Sequence, residues 1–193
     1  EMNEIFQITL KSLDIAIKSF ENNKNNNDIN EEIEDKIDTL EKKFRNNNIA
    51  RLNAKQCYAN AGVMFFDLLS NLERIGDHAE NLADLTLQKI NKSLEYSKDA
   101  MEELDSIYSS TLEALDIAIE SYENRNVNKA KSIVDVEAKI DKKQKSFRER
   151  HIRRLYDGRC NAYTGAIFLD ILSNLERIGD HSTNIAESVI ENN

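Results

Sequence analysis

Several residue types that shape protein folds are scarce or missing in this chain of 193 residues. It contains no proline, no tryptophan and only five glycines. Proline interrupts helices and glycine weakens them, so their scarcity favours a helical fold over a turn-rich β fold. The two cysteines, Cys57 and Cys160, lack a CxxC pair, which argues against a zinc motif or a disulfide framework. No apolar run approaches the roughly 20 residues that a membrane span needs.

The excess of acidic residues indicates which classes of partner the protein can bind. Charged residues make up 32% of the chain, with a formal net charge of −9 and a pI near 5.0. Nucleic-acid binding depends on lysine and arginine contacts to phosphates, so this balance argues against it. An acidic surface is instead suited to cations.

The chain contains an internal repeat. The decapeptide Leu-Ser-Asn-Leu-Glu-Arg-Ile-Gly-Asp-His occurs at Leu69–His78 and again at Leu172–His181. Around it, Gly62–Asn81 and Gly165–Asn184 agree at fourteen of twenty positions. Repetition over this distance indicates two copies of one structural unit. We therefore divide the chain into a first repeat, residues 1–98, and a second repeat, residues 99–193.

Each repeat has the apolar periodicity of three helices. Apolar residues at helical spacing predict helices over about residues 3–20, 30–54 and 61–94, and over about 101–123, 127–155 and 162–190. The apolar stripes include Ile8, Leu10 and Ile15 in the first helix and Ile33, Ile37, Leu40 and Phe44 in the second. The asparagine-rich run at 22–27 is expected to end the first helix, and the run at 46–48 to weaken the second. No such helix can bury its apolar stripe alone. The predicted fold is therefore all-α, with two pseudo-symmetric antiparallel three-helix bundles.

Acidic pairs border the predicted seam between the second and third helix of each repeat. Residues four apart lie about 40° apart around a helix, so each pair shares one face beside the apolar stripe. Like charges at this spacing destabilise a helix by about 0.2–0.5 kcal/mol per pair, and both repeats retain them. This pattern predicts a metal site with oxygen ligands, suited to iron, manganese, magnesium or calcium. The predicted ligands are Glu34, Asp38, Glu73, Asp77, Glu137, Asp141, Glu176 and Asp180, with Asn81, Asn184, Asp84 and Glu187 in supporting positions.

Two other interpretations of the acidic seams remain open. The carboxylates could be solvated and partly neutralised by Arg74 and Arg177, in a purely structural interaction domain. A di-iron enzyme is disfavoured, because such bundles use a Glu-x-x-His pair. Here Glu73 and His78 are five residues apart and diverge by about 140° around the helix. His78 and His181 are accordingly expected to pack between helices or support the site from outside, and His151 receives no role.

The segments Leu72–Ala83 and Leu175–Glu187 closely resemble the signature of the PhoU family, LERIGDHxxNIAE. The pairs Glu34/Asp38 and Glu137/Asp141 resemble that family's ExxxD elements. The resemblance covers both repeats. Repeat one departs from the signature at its end, where Asp84 replaces glutamate but keeps the carboxylate.

This resemblance implies two three-helix bundles carrying multinuclear metal clusters, iron in particular. It implies a non-enzymatic role in regulating phosphate uptake at the cytoplasmic face of the membrane. The expected partners are a phosphate transporter, in the same chain or a separate one, a sensor kinase, and a second copy of the chain as a homodimer. Residues 153–170 look more like the branch that forms the cytoplasmic C-terminal region of bacterial sodium/phosphate cotransporters than like stand-alone regulators. A chain that opens at Glu1 within a predicted helix fits that branch.

Overall fold

A computed structural model describes residues 1–191, and these form seven helices. The bounds are α1 Met2–Asn22, α2 Asn27–Asn53, α3 Ala59–Asn91, α4 Lys98–Asn124, α5 Val127–Lys131, α6 Ile133–Tyr156 and α7 Ala162–Glu191. The predicted all-α fold is confirmed. Helices α1–α3 form the first repeat, and α4–α7 form the second.

The central pair of helices joins the two repeats. Helices α3 and α7 run antiparallel, because His78 of α3 bonds Asn174 of α7 while His181 of α7 bonds Asn71 of α3. Each of these helices also packs on the other helices of its own repeat. The two bundles therefore share a continuous core, and the position of the boundary between residues 98 and 99 stays a prediction.

The apolar stripes seen in the sequence form this core. The stripe of α2, Ile33, Ile37, Leu40 and Phe44, is buried as predicted. Three stripe residues of α1, Ile8, Leu10 and Ile15, are only partly buried. The largest fully buried side chains are Phe6, Phe44, Phe168, Ile5, Leu13, Ile37, Leu68, Leu69, Leu72, Ile75, Ile107 and Leu115.

Three sequence expectations about helix continuity are wrong. The asparagine run at 46–48 does not weaken α2, because Asn48 is buried and donates a 2.8 Å hydrogen bond to the Gly62 carbonyl. The single helix expected over residues 127–155 divides at Ser132 into α5 and α6. The third helix does not reach residue 94, because α3 ends at Asn91 and Ser93 takes a left-handed φ of 50°.

The predicted breaks after α1 and α6 are confirmed. Asn23 caps α1 in the left-handed conformation, with φ 52°. Gly158 follows α6 with φ +67°, a conformation that glycine adopts without strain. None of the helices in residues 1–191 combines the length and apolar character required to cross a bilayer.

Candidate metal centre

Each acidic seam is built by an isoleucine that packs onto a glycine. In the second repeat, a Cβ on Gly179 would lie 2.9 Å from Ile140 Cδ1, a distance that real side chains avoid. In the first repeat, Gly76 and Ile37 have the same relationship at the same distance. A larger residue in place of either glycine would require the facing isoleucine side chain to shift. Each isoleucine precedes the aspartate of its ExxxD element, and each glycine precedes the aspartate of the decapeptide. The contact therefore sets the two aspartates side by side.

The second repeat brings three predicted ligands together. Asp141 of α6 and both Glu176 and Asp180 of α7 each offer a carboxylate oxygen within 4.8 Å of the other two. Glu137, one helical turn before Asp141, lies beside this group and interacts electrostatically with Asp141 and Asp180. We name Asp141, Glu176 and Asp180 the second-repeat cluster.

Charge crowding is visible in the electrostatics of the second-repeat cluster. Burial raises the pKa of Glu176, and the neighbouring Asp180 and Asp141 raise it further while Arg177 opposes them. Burial also raises the pKa of Asp180, and Asp141 adds to that shift against the opposing effect of Arg177. A raised carboxyl pKa means that the ionised form is destabilised in the fold. A bound cation would relieve that repulsion.

Arginine supplies only part of the missing positive charge. Arg177 Nε lies 3.7 Å from Glu176 Oε2, and its Nη1 lies 3.5 Å from Asp180 Oδ2. The arginine side chain is 59% exposed, so both ion pairs are long and solvent-screened. The expectation of partial neutralisation by Arg177 is confirmed, because Arg177 lowers the pKa of both carboxyl groups while burial and Asp141 raise it.

The carboxylates of the first repeat are spread further apart than those of the second-repeat cluster. Burial, followed by the charges of Asp38, Glu80 and Asp77, raises the pKa of Glu34 to about 7. Burial raises the pKa of Glu73 and of Asp77 as well. Asp38 Oδ2 accepts a 2.5 Å bond from Lys42 Nζ. No three acidic side chains among residues 1–98 meet the spacing found in the second-repeat cluster.

The supporting residues occupy more peripheral positions, and all four are exposed. Asn184 donates to Asn71 Oδ1 at 3.1 Å, across the contact between α3 and α7. Asn81 and Asp84 line an open cavity of about 370 Å³ between the same helices. Glu187 adds to the raised pKa of Glu137. Asn184 thus bonds the opposite helix, while Glu187 interacts with the acidic seam.

The two signature histidines pack between the repeats. Their rings stack with centroids 5.7 Å apart. His78 Nδ1 lies 2.9 Å from Asn174 Oδ1, and His181 Nδ1 lies 3.0 Å from Asn71 Oδ1. Since each asparagine donates its amide nitrogen to a backbone carbonyl, its oxygen faces the ring and accepts from Nδ1–H. This agrees with the expected helix-packing role.

Sequence reasoning missed two contributors to the first seam. Glu80 lies seven residues after Glu73 on the same stripe, and it raises the pKa of Glu34. The helical spacing could have identified it, although repeat two has Thr183 at the equivalent position. Lys42 could also have been found, because it lies four residues after Asp38, at ion-pairing distance on a helix.

The donor set of the second-repeat cluster fits a hard or intermediate cation. Carboxylate oxygens within 4.8 Å of one another can surround one ion at the ordinary metal–oxygen distances of about 2.0–2.6 Å. The cluster contains only oxygen donors, and soft metals prefer sulfur or nitrogen. Glu137 and Glu187 are further carboxylates that interact electrostatically beside this cluster.

The fold and the seam together define a class: a duplicated helical bundle with one acidic seam per repeat. The PhoU domain model matches residues 2–86 and 104–189. This chain therefore belongs to the PhoU domain family.

Comparison with known proteins supports this membership. The chain is 27% identical over 176 residues to phosphate-specific transport system accessory protein PhoU homolog 1 of Thermotoga maritima, spanning 91% of this chain and 72% of that protein. It is 32% identical over 122 residues to a PhoU homolog of Xylella fastidiosa, where it spans 49% of the relative's length.

Solved structures share the fold. PhoU from Pseudomonas aeruginosa superposes with a TM-score of 0.90, at 23% identity, over 98% of this chain and 91% of that one. The phosphate transport system regulatory protein PhoU from Streptococcus pneumoniae gives 0.86 at 21% identity, over 98% and 89% of the two chains.

Proposed function

We propose that this chain is a non-enzymatic, metal-binding regulatory module that controls phosphate transport. The observation that carries the proposal is the convergence of Asp141, Glu176 and Asp180 in a chain of the PhoU family. The related T. maritima protein is named as an accessory protein of a phosphate-specific transport system, which supports the same role here. The module acts at the cytoplasmic face of the membrane, on a phosphate transporter.

The proposed cofactor is a multinuclear iron cluster, with manganese, magnesium or calcium as other cations of suitable chemistry. Asp141, Glu176 and Asp180 hold it in the second repeat, together with Glu137. Glu34, Asp38, Glu73 and Asp77 form the corresponding set in the first repeat. Crowded carboxylates with raised pKa values support this assignment, because a cation stabilises their ionised forms.

Metal analysis tests the metal-binding part. Protein purified without chelator is expected to contain metal, and Asp77→Ala combined with Asp180→Ala is expected to lose most of it. Asp67→Ala combined with Asp170→Ala is the matched control, since these exposed aspartates lie on the same two helices. Equal metal in all three proteins would refute the ligand assignment.

A metal-free interaction domain is the second candidate, and the Arg177 ion pairs favour it. It predicts a thermal midpoint that responds neither to EDTA nor to added divalent ions. A bound cation instead stabilises the folded state by mass action, so the midpoint should rise with metal concentration.

The branch of the family is a separate question. We infer the cytoplasmic region of a sodium/phosphate cotransporter from the resemblance of residues 153–170 to that branch. The alternative is a stand-alone regulator that bridges a transporter and a sensor kinase. Sequencing the gene upstream of the codon for Glu1 distinguishes them, because a run of encoded membrane spans is expected only for the cotransporter. The kinase contact and a homodimer remain predictions.

A further inference from the structure

The outer face of helix α6 carries positive charge that the acidic seams do not use. Lys142, Lys145, Arg148 and Arg153 are all exposed and lie within an arc of about 140° around the helix. None of the four forms an ion pair with any side chain in residues 1–191. Four unpaired cations on one helix face stand out in a protein of net charge −9.

Two exposed apolar side chains lie among these cations. Ile152 is 48% exposed and Tyr156 is 92% exposed. Both fall within the same arc, towards the end of the helix. We name Lys142, Lys145, Arg148, Ile152, Arg153 and Tyr156 the basic face. Glu149 is the one carboxylate within it, and Asp135 and Asp141 lie earlier on the same side of α6, outside it.

The first repeat shows that the fold does not require this face. The residues of α2 that correspond to the four cations are Thr39, Lys42, Arg45 and Ala50. Lys42 pairs with Asp38, and Arg45 pairs with Glu41, so neither cation is free. The position of Tyr156 is taken by Asn53. The two helices thus share their core contacts, and only α6 has unpaired positive charge beside an exposed aromatic ring.

We propose that the basic face of α6 docks onto a bilayer that contains anionic phospholipids. Lysine and arginine near such a surface are attracted to the lipid phosphates. Tyrosine is favoured at headgroup depth, and a nearby isoleucine adds apolar area. An acidic peptide could also bind an arginine cluster, but the exposed isoleucine and tyrosine beside the cations favour a bilayer, which takes both charge and apolar area. The inference goes beyond the proposed function and does not depend on metal binding.

Sedimentation with vesicles tests the proposal on the full chain. Wild-type protein is expected to sediment with vesicles of equal parts phosphatidylglycerol and phosphatidylcholine at low salt, but not with pure phosphatidylcholine. Binding should weaken steeply as salt is raised to about 0.5 M, because surface charges are then screened. Failure of the wild-type protein to bind the anionic vesicles would overturn the proposal.

A charge-matched pair of variants assigns binding to the face. Each cation near the surface contributes about fivefold in partitioning, so K142S/K145S/R148S/R153S should weaken binding more than about a hundredfold. K11S/K24S/K36S/K131S removes the same charge from exposed positions elsewhere and should change binding less than about threefold. Equal losses would assign the effect to net charge and overturn the proposal. Circular dichroism checks that both variants fold.

Two further experiments test the apolar contribution to binding and the identity of the bound anion. Y156S is expected to weaken binding at all salt concentrations, since it removes an apolar contribution. Inorganic phosphate added at constant ionic strength is expected to displace no more protein than sodium sulfate does. Selective displacement by phosphate would reassign the face to a small anion and overturn the bilayer proposal.

Discussion

The side chain of Ile140 fills the space that a Cβ on Gly179 would need, with only 2.9 Å between them. One residue further along each helix, Asp141 and Asp180 face each other in the second-repeat cluster. The glycine of the decapeptide thus has a structural role. It lets α6 approach α7 closely enough for carboxylates from both helices to meet. Ile37 and Gly76 repeat this contact in the first bundle.

Gly179→Ala is expected to push α6 away from α7. Overpacking of this kind destabilises a fold by about 1–3 kcal/mol, which urea denaturation can measure. The separation should also weaken metal binding in the second repeat only. Gly76→Ala is the counterpart and should affect only the first repeat. Undiminished metal affinity in both variants would show that the close contact does not position the ligands.

The ion pair between Glu103 and Arg154 is expected to contribute more to the stability of the fold than its counterpart in the first repeat. Arg154 donates two hydrogen bonds to Glu103, at 3.1 and 2.6 Å, and both side chains are at least nine-tenths buried. Glu103→Ala should therefore destabilise the protein by about 3–5 kcal/mol, since it leaves a buried guanidinium unpaired.

The corresponding pair of Arg51 with Glu1 is about one-third exposed, so Glu1→Ala should lower stability by less than about 1 kcal/mol. Urea denaturation of both variants compares the two pairs. Similar losses of stability in the two variants would contradict the prediction that the buried pair contributes more.

Without metal, the contribution of Glu34 to stability is expected to be larger near pH 5 than near pH 8. Burial and neighbouring carboxylates raise the pKa of Glu34 from its ordinary value of 4.5 to about 7. At Glu34 the folded state therefore binds more protons than the unfolded chain between these values, and this contribution falls as the pH rises through the window. Burial lowers the pKa of His151 and of His181 to about 4, and these two groups change stability in the opposite direction.

Denaturation of the wild-type protein and of Glu34→Gln in EDTA at several pH values measures this contribution, because the effects of the histidines cancel in the difference between the two proteins. Adding metal should reverse the trend, because metal binds the deprotonated carboxylates. A difference in stability between the wild-type protein and Glu34→Gln that does not change with pH in EDTA would contradict the raised pKa of Glu34.

The histidine–asparagine contacts are expected to hold the two repeats together independently of metal. Asn71→Ala removes the acceptor of both His181 and Asn184, and each lost bond should lower stability by about 1 kcal/mol. A double-mutant cycle with His181→Ala measures the coupling. Loss of metal in Asn71→Ala without loss of stability would instead place the histidine in the metal site.

Much of the fold followed from the sequence because its signals are local and repeated. The stripe of Ile33, Ile37, Leu40 and Phe44 predicted the buried face of α2, and the structure buries all four side chains. The decapeptide gave the equivalence of α3 and α7. Helical spacing placed the carboxylates beside the core.

The remaining features depend on contacts between distant residues. Asn48 is favoured in a helix interior only because it reaches the Gly62 carbonyl of the next helix. His151 received no role, yet it is buried and stacks on Phe168 with ring centroids 3.9 Å apart. The sequence also does not predict that Asp38 forms an ion pair and Asp141 does not. Each has a lysine four residues later, Lys42 and Lys145, but only Lys42 forms the pair.

Anomalous diffraction from crystals grown with iron or manganese tests the central claim most directly. The account predicts an anomalous peak within about 2.0–2.6 Å of oxygens from Asp141, Glu176 and Asp180, with Arg177 turned away. A metal-replete crystal with no peak there, and with those carboxylates held by arginine or pointing into solvent, would contradict it.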